Sequence, residues 1–252
     1  MNKPRIGAQL IIWRGRAAKE LPKVLDEVAE IGFEGIETSV NIISSYPNAG
    51  KLLEDRGLKL IALHLGVSDE NVARKGLEIL QELGGLYLTF SGAGLKEKTE
   101  EKYVEHARFL SRIGELAKDY GAQVCYHNHD YEIVDDAFGM KIILRETSPD
   151  LVKLCVNVYW VRHGGMDPAT FIKEHLDRIA YLHLKDGTER GIKEKSPEFT
   201  PLGQGCIDFK PIIDLCVKAE MKWLIVEQDR TEGDPKECML ASRRYLEEVF
   251  KL

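Results

Sequence analysis

Two imidazoles set two residues apart, His127 and His129, end the apolar run over residues 122–126, with Asn128 between them. In a strand, successive side chains point to opposite faces, so these two rings would share one face. Three later apolar runs end in the same way. The run over 153–160 closes with Asn157 and aromatics, that over 179–186 with His183, Lys185 and Asp186, and that over 223–229 with Glu227 and Asp229. These residue types hold metal ions or move protons. A carboxylate directly after Leu224-Ile225-Val226 is costly to bury without a task. Packing alone gives no reason for four consecutive runs to end in this way, and the pattern predicts one shared site.

Such a site needs elements that bring the four ends together. Apolar strand-like runs occur at 5–13, 33–38, 58–65, 86–90, 122–129, 152–160, 179–185 and 223–227. Amphipathic helical patterns separate them, at 19–31, 48–56, 68–83, 99–120, 138–145, 167–176, 209–219 and 234–250. Gly32, Gly57, Gly84 and Gly121 stand where helices stop; Ser68, Asp167, Asp208 and Asp234 stand where helices start. The segment 187–205 reads as a polar loop. Strands alternating with helices make a parallel sheet, and eight such pairs over residues 1–252 predict an α/β single-domain (β/α)8 TIM barrel. The strands are nearly continuous apolar runs, as expected when both faces are buried. No GxGxxG follows the first strand, which disfavours an open doubly wound sheet. Active sites of such barrels lie at the C-terminal strand ends, where the polar groups fall.

Composition narrows the class. A hydrophobic fraction of 44% supplies an ordinary globular core, and a net charge of −6 gives no basic surface for nucleic acid or anionic membrane. Five cysteines with no CxxC, two of them inside apolar runs, read as free thiols in a reducing compartment. With no signal-peptide pattern and no apolar stretch of the ~18 residues a membrane span needs, a cytoplasmic location is expected.

Several short stretches, taken in order, carry a family likeness. They are Gly32-Phe33-Glu34-Gly35-Ile36-Glu37, Tyr126-His127-Asn128-His129-Asp130, Tyr159-Trp160 with Gly164-Gly165-Met166-Asp167-Pro168, His183-Leu184-Lys185-Asp186, Leu202-Gly203-Gln204-Gly205 and Val226-Glu227-Gln228-Asp229. Through them the whole chain resembles the xylose-isomerase-like barrels, in particular the sugar phosphate isomerase/epimerase branch that also holds inosose dehydratase and endonuclease IV.

That resemblance implies one divalent metal ion (Mn, Co, Zn, Ni or Mg) held by Glu, Asp, His and Glu from strands five to eight. The matching positions here are His127, Asn157, His183 and Glu227. Two agree; an imidazole replaces the first carboxylate and an amide the Asp, leaving one negative charge where the family has three. The implied chemistry is proton removal beside a carbonyl, with Glu227 as one proton-transfer group and His127, His129 or Lys185 as the second. His64, Glu37, Gln9, Trp13, Trp160, His163 and Gln204 are candidates to line the mouth and meet substrate. The leading reading is a metal-dependent isomerase or epimerase of a keto-sugar or related polyol. The alternative is a lyase or dehydratase using the same enolate on a keto-inositol or 3-keto-glycoside. A metal-free sugar-binding barrel and a three-zinc repair endonuclease rank lower. The expected partner is a small sugar or polyol, unphosphorylated because no phosphate-cradling loop is visible. A homo-oligomer is compatible with the sequence.

Overall fold

The computed structural model describes residues 3–66, 69–93 and 97–252. Eight strands form the centre: β1 (Arg5–Gln9), β2 (Gly35–Ser39), β3 (Lys59–Leu65), β4 (Tyr87–Phe90), β5 (Gln123–His127), β6 (Val152–Asn157), β7 (Ile179–Leu184) and β8 (Trp223–Val226). Each pairs in parallel with its chain neighbours, and β8 pairs with β1 to close the barrel. Amphipathic helices such as Leu21–Ile31, Glu70–Leu83, Glu100–Lys118, Phe209–Lys218 and Pro235–Phe250 cover the outside. Their apolar faces and the outward strand residues make the main core, including Val24, Val28, Leu77, Leu110 and Ile212. Among the described residues no helix is long and apolar enough to cross a membrane.

A separate apolar cluster holds Ile61, Ala62, Cys125, Cys155, Tyr181, Trp223 and Ile225. Gly7 and Gly35 make room for it, since a Cβ at either would come within 3 Å of the Ile61 side chain. The same inward rows continue into chemistry. Two residues beyond Ala62, Cys125, Cys155, Tyr181 and Ile225 stand His64, His127, Asn157, His183 and Glu227. A two-residue step along a strand keeps the face and rises about 6.6 Å, so an apolar plug carries a polar layer above it.

Several elements are shorter than the apolar runs predict, and capping is the reason. β1 stops at Gln9, whose side chain accepts from Ile11 N and caps a 3-10 turn, Leu10–Trp13. β6 stops at Asn157, which caps the helix Val158–His163. β5 stops at His127, and His129 caps the turn Asp130–Glu132, so alternation along a strand is not what joins the two imidazoles. A short helix, Val40–Ser44, precedes Ala49–Glu54. The segment read as a polar loop contains the helix Glu189–Lys193, and Phe199–Thr200 pairs antiparallel with Asp186–Gly187. Ser68 lies outside the described residues; Asp69 caps the helix Glu70–Leu83. The run Val134–Glu146 opens on three left-handed residues, Asp135, Asp136 and Ala137, so the right-handed helix starts at Phe138, as its pattern indicates.

His106 and His175, on outer helices, read as surface residues, but His106 is only 7% exposed. Its ring lies between those of Phe109 and Tyr126, and its Nε2 has no partner. His175 is half-buried against Phe171. Burial lowers the His106 pKa to about 4. The folded protein then binds fewer protons than the unfolded chain between about pH 4 and 6.5, so this contribution to stability is complete above 6.5 and is lost as pH falls. The expected loss from this residue between pH 7 and 5 is about 2 kcal/mol. Urea midpoints at the two pH values should draw together in His106→Gln relative to the parent; an unchanged difference would contradict the assignment.

Candidate active site

Glu227 leaves β8 into the centre of a buried polar cluster. Its Oε2 accepts from Asn157 Nδ2 at 2.5 Å and lies 3.4 Å from both His183 Nδ1 and Lys185 Nζ. Burial alone would raise its pKa, but Lys185 and His183 override that and hold it well below the ordinary carboxylate range. Lys185, fully buried, also donates to Asp229 Oδ1 at 2.5 Å. Its ammonium sits over the rings of Phe199 and Trp160, at 4.3 and 4.7 Å from their centroids. One cation thus faces two carboxylates and two aromatic faces, which offsets the cost of burying the charges. Burial raises the Asp229 pKa despite Lys185.

Glu37, in the middle of β2, is the second anionic centre. It accepts from His64 Nδ1 and His183 Nε2 at 2.9 Å each and from Tyr181 Oη at 2.8 Å. Burial again opposes ionisation, but His183 and His64 win and lower its pKa to about 2. Glu37 therefore braces other side chains and fixes which nitrogen of His183 is left for Glu227. Burial disfavours charge on His183, yet Cys155, Glu37 and Glu227 together raise its pKa. His127 has only Glu227 in its favour; burial, then His183 and His64, push it well below the ordinary value and keep it neutral.

The four residues matched to a metal set do not play equal parts. His127, His183 and Glu227 each offer a ligand atom within 4.8 Å of the others. Two buried nitrogens, His127 Nδ1 and His183 Nδ1, lack a hydrogen-bond partner. A His2Glu donor set with the second nitrogen of one imidazole tied to a carboxylate, as His183 is tied to Glu37, fits a borderline-soft divalent ion such as zinc. Asn157 turns its oxygen away, onto Trp160 N.

His129 stands at the edge of this cluster, its ring 5.0 Å from that of His127 and 5.7 Å from that of Trp160. Its backbone N–H goes to the buried Glu132, and its Nδ1 meets Tyr131 Oη at 3.0 Å. Burial, then Lys185, lower its pKa to about 4, so it is neutral near pH 7. His64 joins the cluster to a cavity of about 470 Å³ at the tips of β2 and β3, lined also by Ser39, Asn41, Leu65, Asp69 and Val72. Among the described residues, its lining includes no Lys or Arg.

Other residues expected at the mouth have different occupations. The Trp13 indole donates to Glu27, which Arg16 also holds, so that ring packs under an outer helix. Gln9 is spent on its cap. His163, buried, meets Asp130 Oδ2 through Nδ1 at 2.9 Å and lies beside Trp160 without joining the cluster. Gln204 is exposed in a turn, with no side-chain partner shown. Residues that periodicity did not single out include Tyr181, Glu132 and Phe199; only Tyr181 had a signal, two residues before His183 on the same face.

Asp186 explains the Leu202-Gly203-Gln204-Gly205 stretch. Its buried carboxylate accepts from the backbone N–H groups of Gly187, Gly203, Gly205 and Ile207 at 2.9–3.1 Å. At Gly205 a Cβ would lie 2.1 Å from Asp186 Oδ1. Asp186→Ala leaves these donors unpaired at about 1–3 kcal/mol each if they stay buried, so the loop should detach instead. The expected result is at least tenfold faster hydrogen exchange at Gly203, Gly205 and Ile207 (about 1.4 kcal/mol or more of local stability); unchanged protection would contradict the clamp.

With this geometry in view, the comparisons with known proteins can be stated. The sequence matches the family described as xylose isomerase-like TIM barrel over residues 25–249. An inosose dehydratase of Clostridium tetani is 27% identical, over 98% of this chain and 97% of that protein. A solved structure of a sugar phosphate isomerase/epimerase from Parabacteroides distasonis superposes with a TM-score of 0.81 at 19% identity, covering 99% and 95% of the two chains. The IOLI protein, solved with a bound zinc atom, superposes at 0.73 with 15% identity and 97% coverage of each.

Proposed function

The chain belongs to the xylose isomerase-like TIM barrel family, and from that premise we propose that it is a divalent-cation-dependent lyase that removes water from a keto-inositol. The lyase is the alternative named from the sequence, and the end-to-end similarity to an inosose dehydratase supports it over the isomerase or epimerase. One observation carries the proposal: an ionised carboxylate and an ammonium, Glu227 and Lys185, lie 3.4 Å apart in a buried cluster beside two unpartnered imidazole nitrogens. Elimination next to a ketone needs a base for the α proton and an acid for the β hydroxyl. Neighbouring groups of opposite charge suit loss of both from one side of a ring, whereas an epimerase needs its two groups on opposite faces.

In this scheme Glu227 takes the α proton. Electrons pass from the C–H bond through the enolate to expel the β oxygen, and Lys185 gives that oxygen its proton. Water leaves, and the enol relaxes to a diketone. His127, His183 and Glu227 would hold the cation, which when bound polarises the ketone and stabilises the enolate charge. His183, fixed through Glu37, keeps its Nδ1 turned to the cluster. Trp160 and Phe199 shield the ammonium from water. The cavity at His64, lined among the described residues by one carboxylate and no cationic side chain, supports an uncharged, hydroxyl-rich substrate over a phosphorylated one.

NMR of the protein with a keto-inositol, and in parallel with a panel of ketoses, tests this. The expected result is loss of one water from the keto-inositol and slower or no change in the ketoses. Epimerised ketose with intact keto-inositol would return the isomerase reading to first place.

A further inference from the structure

We infer that the Asn157 carboxamide is a hydrogen-bond bridge that closes His127 onto Glu227 in the absence of an ion, so that the cation site of this chain has three protein donors, His127, His183 and Glu227, and Asn157 is a positioning residue. The inference rests on the cation-dependent reading above.

The direction of the amide is settled by its partners. Asn157 Oδ1 accepts from Trp160 N at 3.2 Å at the start of the helix Val158–His163. Turning the amide over would set its NH2 against that N–H, donor to donor. The nitrogen therefore faces inward, 2.5 Å from Glu227 Oε2 and 3.2 Å from His127 Nε2. Two hydrogens meet two acceptors. An amide nitrogen has no free lone pair, so it offers nothing to a metal ion.

Swinging round to present its oxygen would break the cap on Trp160 N, and the backbone that carries the side chain is itself held by Asn128, the residue after β5. Asn128 Oδ1 accepts from Asn157 N at 2.9 Å, and Asn128 Nδ2 donates to Asn157 O at 3.3 Å. All of these groups are buried. His127 Nδ1 and His183 Nδ1 remain the buried nitrogens of the cluster without partners.

A consequence follows for the isosteric acid. In Asn157→Asp an oxygen takes the place of the inward nitrogen. It faces the Glu227 carboxylate and the His127 lone pair with no hydrogen between them, and only a cation or a proton relieves the contact. Thermal melts and zinc titrations of the parent, Asn157→Asp, Asn157→Ala and Glu227→Gln test this, each in chelator and with added zinc. Asn157→Asp should melt below the parent in chelator, gain more from zinc than the parent does, and bind zinc at least about tenfold more tightly. Asn157→Ala, which removes a positioning group but no donor, should keep zinc affinity within about tenfold to a hundredfold of the parent, while Glu227→Gln loses more. If Asn157→Asp fails to fold in chelator, its recovery on refolding with zinc gives the same answer.

Equal melting of Asn157→Asp and parent in chelator, or loss of zinc by Asn157→Ala as complete as in Glu227→Gln, overturns the inference. If the parent itself binds no zinc, manganese or cobalt, the cation-dependent reading fails instead; the melts in chelator still decide whether the amide is a bridge.

Discussion

Replacing Glu227 by glutamine is expected to lower turnover of a keto-inositol by about a thousandfold, within the range that one positioned proton-transfer group supplies. The substitution keeps shape and removes the charge. Asn157, His183 and Lys185 all address this carboxylate, and Lys185 and His183 keep it ionised against burial. Glutamine can still accept one hydrogen bond, and Lys185 still has Asp229, so the barrel should remain folded. Melting curves beside turnover numbers separate a chemical loss from a structural one. A loss of less than tenfold in a folded variant would remove Glu227 from the proton-transfer step.

The second large effect is expected at Lys185. Changing it to methionine preserves most of the volume but leaves the buried Glu227 and the half-buried Asp229 with no ammonium between them. Breaking a buried pair in this way costs about 3–5 kcal/mol, more than most single substitutions. Turnover should fall at least about a hundredfold, because the acid for the departing hydroxyl is gone. Adding Asp229→Asn should restore much of the stability, since one unpaired carboxylate is removed, and should not restore turnover. Urea melts and steady-state rates on the two single variants and the double variant give both answers. Recovery of activity in the double variant would show that Lys185 acts only by neutralising Asp229.

What the sequence could and could not convey follows from the kind of signal each feature leaves. Eight alternating runs, and the position of His127, His183 and Glu227 at strand ends, are periodic facts, and the barrel follows them. The strand ends themselves are different. Gln9 and Asn157 stop strands because their side chains cap the next turn, and a capping residue looks the same in sequence as a ligand or a substrate contact. Asn157 stood among the metal ligands by its match to a family position, and Gln9 among the lining residues by its place near a strand exit. Trp13 misled for another reason: an aromatic near a strand exit carries no mark of the Glu27 carboxylate that claims its indole. Glu37 and Asp186 were visible as buried-strand acids. The three side chains on Glu37 come from β3 and β7, which the barrel brings near, and the four backbone N–H groups on Asp186 come from Gly187 and from the folded-back loop at 203–207, whose path no periodicity marks. Lys185 and Asp186 are neighbours in the chain, but the two side chains part, one to Asp229 and one to the loop at 203–207.

The isotope content of a keto-inositol partly converted in deuterium oxide tests the central claim most directly. Mass spectrometry should find a product lighter by one water, formed at a rate that falls together with cation removal and with Glu227→Gln. Keto-inositol that comes back unchanged in mass, or deuterated and epimerised with no water lost, would contradict the account.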